Sequence, residues 1–345
     1  MEKYNSSFFK EEFKKKACLS PSIKWGIIGC GDVCEIKSGP AFYKTEGSSL
    51  AAVMRRDAAK AEDFARRHHV ARWYSDARQL IADPEVDAVY IATPPSSHAA
   101  YAISAMNAGK PVYVEKPMAA SFVACETMNR ASQETGIPLL VAYYRRSLPY
   151  FLKVKEILCS GEIGEMISVN VRYQAPAHLH DSDPHNQPWR VQPEISGAGY
   201  FYDMACHTLD ILDFLMGEIV EACGQKTNRA GLYDAEDTVT ASFRFASGVI
   251  GCGQWLYAAS PTANCDDVTI TGSKGAIRLA TFSFVPIQVQ TAHSQAEYSF
   301  LRPEHIQQPM IEAVVAQLCG RGKSPSDGVS AARTNRVMDW ILDKC

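Results

Sequence analysis

No apolar run in these 345 residues approaches the ~20 that a membrane span needs. Charge of one sign is missing too: 35 Lys and Arg stand against 38 Asp and Glu, a net charge of -3. That balance gives no basic face for nucleic acid or an anionic membrane surface, so neither is expected as a partner. There is no C-x-x-C and no paired metal-finger spacing among the 11 cysteines, and their odd number argues against a disulfide framework. Reduced thiols in a cytoplasmic protein fit this usage. Residues 1–22 carry Lys14 to Lys16 without an apolar stretch behind them, which argues against a secretory signal. Phe8, Phe9 and Phe13 would line one face were the segment a short helix, but it is read as an N-terminal extension rather than a docking arm.

What is present is an ordinary globular composition, 46% hydrophobic and 21% charged, on a chain long enough for two domains. Ile23 to Ile28 reads as a strand running into Gly29-Cys30-Gly31-Asp32-Val33-Cys34. This is G-x-G-x-x-G with Cys34 in the third place, where a small residue lets helix and strand pack closely. The first two glycines permit a tight turn and a close approach of pyrophosphate to backbone N–H groups. A second strand, Ser49 to Met54, a helix, Ala58 to His69, and an apolar strand, Ala88 to Ala92, follow at βαβ distance. Strands buried on both faces and alternating with helices predict a doubly wound parallel sheet.

The second strand ends in Arg55 and Arg56, where a carboxylate for the ribose 2′-hydroxyl is usual. A guanidinium binds a 2′-phosphate, so NADP(H) is favoured over NAD(H), which Asp57 keeps open. Two solvated arginines would satisfy the same position. Thr93-Pro94-Pro95 makes a stiff loop suited to covering a flat ring, and His98 opens the next helix. Gly109-Lys110 then turns the chain into the strand Pro111 to Val114, which ends in Glu115-Lys116-Pro117. In an open α/β sheet ligands bind outside the carboxyl ends of the strands, which places Glu115 and Lys116 for chemistry. Ile137 to Ala142 forms another strand, and Tyr143-Tyr144-Arg145-Arg146 closes the nucleotide domain.

Strand-GCGDVC, ATPPSSH and GKPVYVEKP, in that order and spacing, resemble the glucose-fructose oxidoreductase / inositol dehydrogenase / rhizopine catabolism (Gfo/Idh/MocA) family over roughly residues 23 to 340. The expected fold is an α/β Rossmann domain over 23–146, followed over 147–345 by an α+β substrate domain with a large open, mostly antiparallel sheet. Met166 to Gln174, Thr238 to Phe245, Val249 to Tyr257, Val268 to Thr271 and Ala276 to Ala280 are its strand-like runs. The resemblance implies a homodimer or homotetramer built through that sheet.

After Trp189-Arg190 and the small-residue turn Ser196 to Gly199 comes a helical pattern, Tyr200 to Met216, with Asp203 and His207 four apart and Asp210 further along. Residues four apart share a helix face, and a carboxylate one turn from an imidazole can orient it and raise its basicity. A capping Asp and a satisfied core His would look the same in isolation, but the family carries a glycine-rich turn followed by D-x-x-x-H. The expected catalytic residues are therefore Lys116, Asp203 and His207: His207 as base, Asp203 orienting it, and Lys116 stabilising the developing alkoxide. Gly29, Gly31, Asp32, Val33, Arg55, Arg56, Thr93, Pro94, Pro95, His98, Glu115 and Lys116 are the expected cofactor residues. Tyr143, Arg146, Trp189 and Arg190 join the catalytic three toward the substrate. The loop His178 to His185 is read as polar and substrate-facing, with no metal assigned, and the helices Gln308 to Leu318 and Ser330 to Leu342 as core packing.

The resemblance implies an NAD(P)-dependent oxidoreductase acting on a hydroxyl or carbonyl carbon of a sugar, cyclitol or related polyol. Two other readings stand beside it: an NAD-dependent glycosidase using transient oxidation, and a non-catalytic dinucleotide-binding sensor.

Overall fold

The computed structural model describes residues 21–183 and 185–344, so the expectations placed on Phe8, Phe9, Phe13 and Lys14 to Lys16 lie outside the described residues. The first sheet has six strands, all parallel: β1 (Ile23–Ile28), β2 (Ser48–Met54), β3 (Arg72–Tyr74), β4 (Ala88–Ile91), β5 (Val112–Val114) and β6 (Leu139–Val141). Their order, β3-β2-β1-β4-β5-β6, reverses direction between β1 and β4, which opens a crevice at their carboxyl ends. Helices Ala58–Arg67, His98–Asn107 and Phe122–Thr135 connect the strands. Trp25, Phe42, Tyr90 and Tyr113 form a buried aromatic cluster on the sheet, with ring centroids 4.9 to 6.3 Å apart.

The second sheet has eight strands in the order β14-β13-β12-β11-β7-β10-β9-β8: β7 (Met166–Gln174), β8 (Ile219–Thr227), β9 (Thr238–Phe245), β10 (Ile250–Leu256), β11 (Cys265–Gly272), β12 (Gly275–Leu279), β13 (Ile287–Thr291) and β14 (Gln295–Tyr298). Its pairings are antiparallel except β7 with β10, where several helical segments and the strands β8 and β9 intervene in the chain. One face alternates Val169, Val171, Val239, Phe243, Phe245, Trp255 and Ile270 into the core, while the opposite face carries Ser168, Asn170, Ser242 and Cys252. The strands β3, β8, β13 and β14 go beyond the sequence expectation. In β3, β8 and β14 most side chains are polar or exposed, so the apolar alternation that marks the central strands is absent, while β13 alternates over only Ile287 and Val289, too short a run to stand out.

The chain's last helices return to the first layer. Asp339 of helix Gly328–Ile341 accepts from the Phe122 backbone N–H at 2.8 Å and from the Tyr202 hydroxyl, tying the helix Phe122–Thr135 to the turn that carries Asp203. No helix among the described residues is long and apolar enough to cross a membrane.

Candidate active site

The expected nucleotide turn is built as a close-approach surface. Gly29 has φ +90°, and a Cβ there would lie 2.6 Å from Thr93 Cγ2 and 3.0 Å from the Ala92 backbone. A Cβ on Gly31 would meet only the Gly29 carbonyl oxygen, 3.9 Å away. One glycine therefore seats the turn against the Thr93 loop, and the other leaves bare backbone open beside Asp32 and Val33. Beyond it, Met54, Arg56, Ser75, Arg78, Tyr101 and Ser104 line a groove of about 360 Å³ at the ends of β2 and β3. Arg55 turns inward, its Nη1 donating to the Cys30 carbonyl at 3.4 Å. The two arginines thus differ: Arg56 lines the groove, and Arg55 clamps the glycine turn. Arg78 in that groove is paired with Asp76, which also lines it, so among the described residues Arg56 is the cation left free there, and the bare backbone at Gly31 suits a phosphate.

His98 does not face that cleft. It is fully buried, with Nε2 2.7 Å from the Thr93 carbonyl and Nδ1 3.2 Å from those of Pro117 and Met118. Its work is to brace the Thr93–Pro94–Pro95 loop against the loop after Lys116, which corrects the direct cofactor contact expected of it. Glu115 is likewise buried, accepting from Tyr90 Oη at 2.5 Å, Gln307 Nε2 at 2.6 Å and the Lys116 backbone N–H at 3.2 Å. It anchors the strand end from which Lys116 projects.

Lys116 donates to Asp203 twice, to Oδ1 at 2.7 Å and to the carbonyl at 3.0 Å. Arg190, stacked on Trp189, donates to the other carboxylate oxygen, Oδ2, at 3.1 Å. Burial pulls the Lys116 ammonium down, but Asp203 outweighs it and holds the group above the usual lysine range. Burial pushes Asp203 up, yet Lys116 and then Arg190 hold it below the usual carboxylate range.

Asp203 does not orient His207. The turn Phe201–Ala205 is a π-helical widening ahead of the α-helix Cys206–Met216, so the i, i+4 register assumed from sequence is broken between them. Instead Arg145 donates to His207 Nδ1 at 2.6 Å. A guanidinium has no lone pair to offer, so the neutral ring carries its hydrogen on Nε2. Burial, then the charges of Arg145 and Lys116, push His207 well below the ordinary histidine range.

Two substrate expectations are also revised. Arg146 is buried away from the cleft, donating Nε at 2.9 Å and Nη2 at 2.6 Å to Asp210 and Nη1 at 3.0 Å to the Pro325 carbonyl. Tyr143 is 1% exposed. In a Tyr-Tyr-Arg-Arg run the short 3₁₀ turn Tyr144–Ser147 decides which residue points where, and sequence spacing does not specify that turn. Arg145 is the residue brought to the site; the sequence carried no separate signal for it. Among the described residues no group of three or more potential ligands could hold a metal ion.

Residues 23–143 match the model of an oxidoreductase family with an NAD-binding Rossmann fold, and residues 151–278 match a GFO/IDH/MocA C-terminal domain. The chain belongs to the Gfo/Idh/MocA family. It is 41% identical over 325 residues to Oxidoreductase P35 of Formosa agariphila, covering 93% of this chain and 98% of that one. It is 31% identical over 264 residues to a levoglucosan dehydrogenase of Pseudarthrobacter phenanthrenivorans, covering 69% and 66%. A solved levoglucosan dehydrogenase, in complex with NADH and levoglucosan, shares the fold with a TM-score of 0.81 at 23% identity over 93% of this chain and 96% of that chain. The protein is an oxidoreductase with an NAD-binding Rossmann domain.

Proposed function

We propose that this oxidoreductase moves hydride between NADP(H) and the hydroxyl or carbonyl carbon of a sugar or polyol. The observation that carries the reading is the Lys116–Asp203 pair, buried at the carboxyl end of β5 with His207 in the same field. A bound nicotinamide supplies the hydride donor or acceptor. The side chains supply two donors for one substrate oxygen, the Lys116 ammonium and the His207 Nε2–H. In reduction the carbonyl gains a hydride at carbon, and the alkoxide takes its proton from Lys116. In oxidation the neutral Lys116 amine takes that proton back.

This moves the proton-exchange role from His207 to Lys116. With its ring hydrogen on Nε2, His207 has no lone pair there to accept the substrate proton, and protonation at Nδ1 would set an N–H against the Arg145 N–H, two donors opposed. Lys116→Ala should lower kcat by roughly 10²-fold or more, with cofactor affinity changed far less. A near-normal kcat in that variant would remove Lys116 from the chemistry.

Arg56 supports NADP(H) over NAD(H), because it lines the groove at the adenosine end while Arg55 is committed to the glycine turn. Arg56→Asp should reverse the preference, losing about 1 to 3 kcal/mol of NADPH binding. Equal loss of NADH and NADPH affinity would defeat this assignment. The family resemblance and the uncovered outer face of the eight-stranded sheet, where Ile250 stands 61% exposed, support assembly of a dimer or tetramer through that face.

A further inference from the structure

Arg145 is a buried cation without a counter-ion. It is 5% exposed and wedged between two rings, its guanidinium carbon 4.9 Å from the Tyr144 centroid and 4.7 Å from that of Phe282. Of its five N–H groups one goes to the Thr281 carbonyl at 2.8 Å and one to His207 at 2.6 Å. Among the described residues no carboxylate pairs with it. Asp266, which holds the same turn that Arg145 donates to, is spent there: it accepts from the backbone N–H groups of Thr281, Phe282 and Ser283 and from the Ser283 hydroxyl. Asp203 is shared by Lys116 and Arg190. Lys116 and Arg190 thus share one carboxylate, and Arg145, bonded to His207, has none.

Desolvating a guanidinium without an anion is costly, and aromatic faces offset only part of that cost. Arg146, the next residue, shows the alternative: it sits equally deep and is matched by Asp210. The missing anion at Arg145 is therefore a property of the site, and the free edge of its fork is suited to a planar carboxylate. Because Arg145 touches the ring that addresses the reacting oxygen, the anion belongs close to the reacting carbon.

We propose that the substrate is a sugar acid and that Arg145 receives its carboxylate. This rests on the hydride-transfer reading above. The carboxylate fills the place of the absent counter-ion, and its attachment near the reacting carbon sets which hydroxyl or carbonyl meets Lys116 and His207. A neutral sugar would leave the guanidinium unpaired, so the preference arises from the penalty on the wrong substrate as much as from the contact with the right one.

The test is a panel of matched compounds, each aldose with its uronate, its aldonate and its phosphate ester, assayed with NADP(H) and NAD(H) by nicotinamide absorbance. The best acid is expected to exceed the best neutral sugar at least ten-fold in kcat/KM, with KM for the acid rising with ionic strength. In Arg145→Gln the acid-to-neutral ratio should collapse toward unity, and Arg145→Lys should restore part of it. Using the ratio separates carboxylate recognition from the support Arg145 gives His207, and unchanged NADPH affinity shows that the variants fold. A neutral or phosphorylated best substrate, or a ratio that survives Arg145→Gln, overturns the sugar-acid assignment and leaves hydride transfer standing. Cofactor binding without turnover of any compound overturns the reading on which it rests.

Discussion

The charges at Lys116 decide how this enzyme responds to pH. Its ammonium is held above the usual lysine range by Asp203 against the opposing effect of burial. On the proposed mechanism carbonyl reduction needs that ammonium as acid, so kcat/KM for reduction should stay level through neutral pH and fall only in strongly alkaline solution. Oxidation needs the neutral amine and should rise over the same alkaline interval. In Asp203→Asn the negative charge that raises Lys116 is gone while burial remains, so both inflections should move to lower pH. His207 gives no inflection in the neutral range, because burial and Arg145 keep it neutral there. Profiles of kcat/KM against pH for wild type and Asp203→Asn, in both directions, check this. Inflections that stay in place would show that Lys116 does not exchange the proton. The sequence pointed to Asp203, His207 and Lys116 as a set but misassigned their partners, since partnership depends on which side chain crosses from another element, as Arg145 does.

The π-helical turn Phe201–Ala205 is the element on which that difference depends. Such turns recur where a side chain must be aimed out of helical register, and here the turn aims Asp203 at Lys116 and Arg190 rather than along the helix. The preceding Gly197 makes room for it. Its φ is +100°, and a Cβ would lie 2.6 Å from the Tyr202 ring and 2.8 Å from the Ala120 carbonyl. Gly197→Ala should therefore cost roughly 1 to 3 kcal/mol from backbone strain alone, and displacing Tyr202 should lower kcat by moving Asp203. Urea unfolding beside steady-state kinetics checks both, and an unperturbed variant would show that the turn tolerates a side chain. The parallel sheet was legible in sequence because its strands are apolar runs between glycine turns. The π turn was not, since Tyr200 to Met216 has the apolar spacing of an ordinary helix and a single widened turn changes no residue type. The edge strands β8 and β14 escaped for the opposite reason, carrying too little apolar alternation to stand out, and β13 because its alternation spans only Ile287 and Val289.

At the scale of the whole molecule the eight-stranded sheet leaves a broad face uncovered. Its inner side chains meet helices, while outward-facing Ser168, Asn170, Ser242 and Cys252 line a shallow depression of about 630 Å³ across β7, β10, β9 and β8. The charges nearest its centre are paired, Arg244 with Glu221. Interface centres are depleted of unpaired charge, whereas a face kept in water usually is not, and Ile250 stands 61% exposed beside these residues. A second copy of the chain would supply a face of the same character about a two-fold axis, as closed symmetry requires. Light scattering coupled to size exclusion should thus give two or four times the mass of one chain. Ser242→Arg places a charge in the middle of the face with its side chain pointing outward, so it should shift the protein toward monomer at unchanged thermal stability of the subunit core. Because Lys116, Asp203, His207 and Arg145 all come from one chain, the monomer should retain hydride transfer. A wild-type protein that is monomeric at micromolar concentration, or a Ser242→Arg variant with the wild-type mass, would place the subunit contact elsewhere.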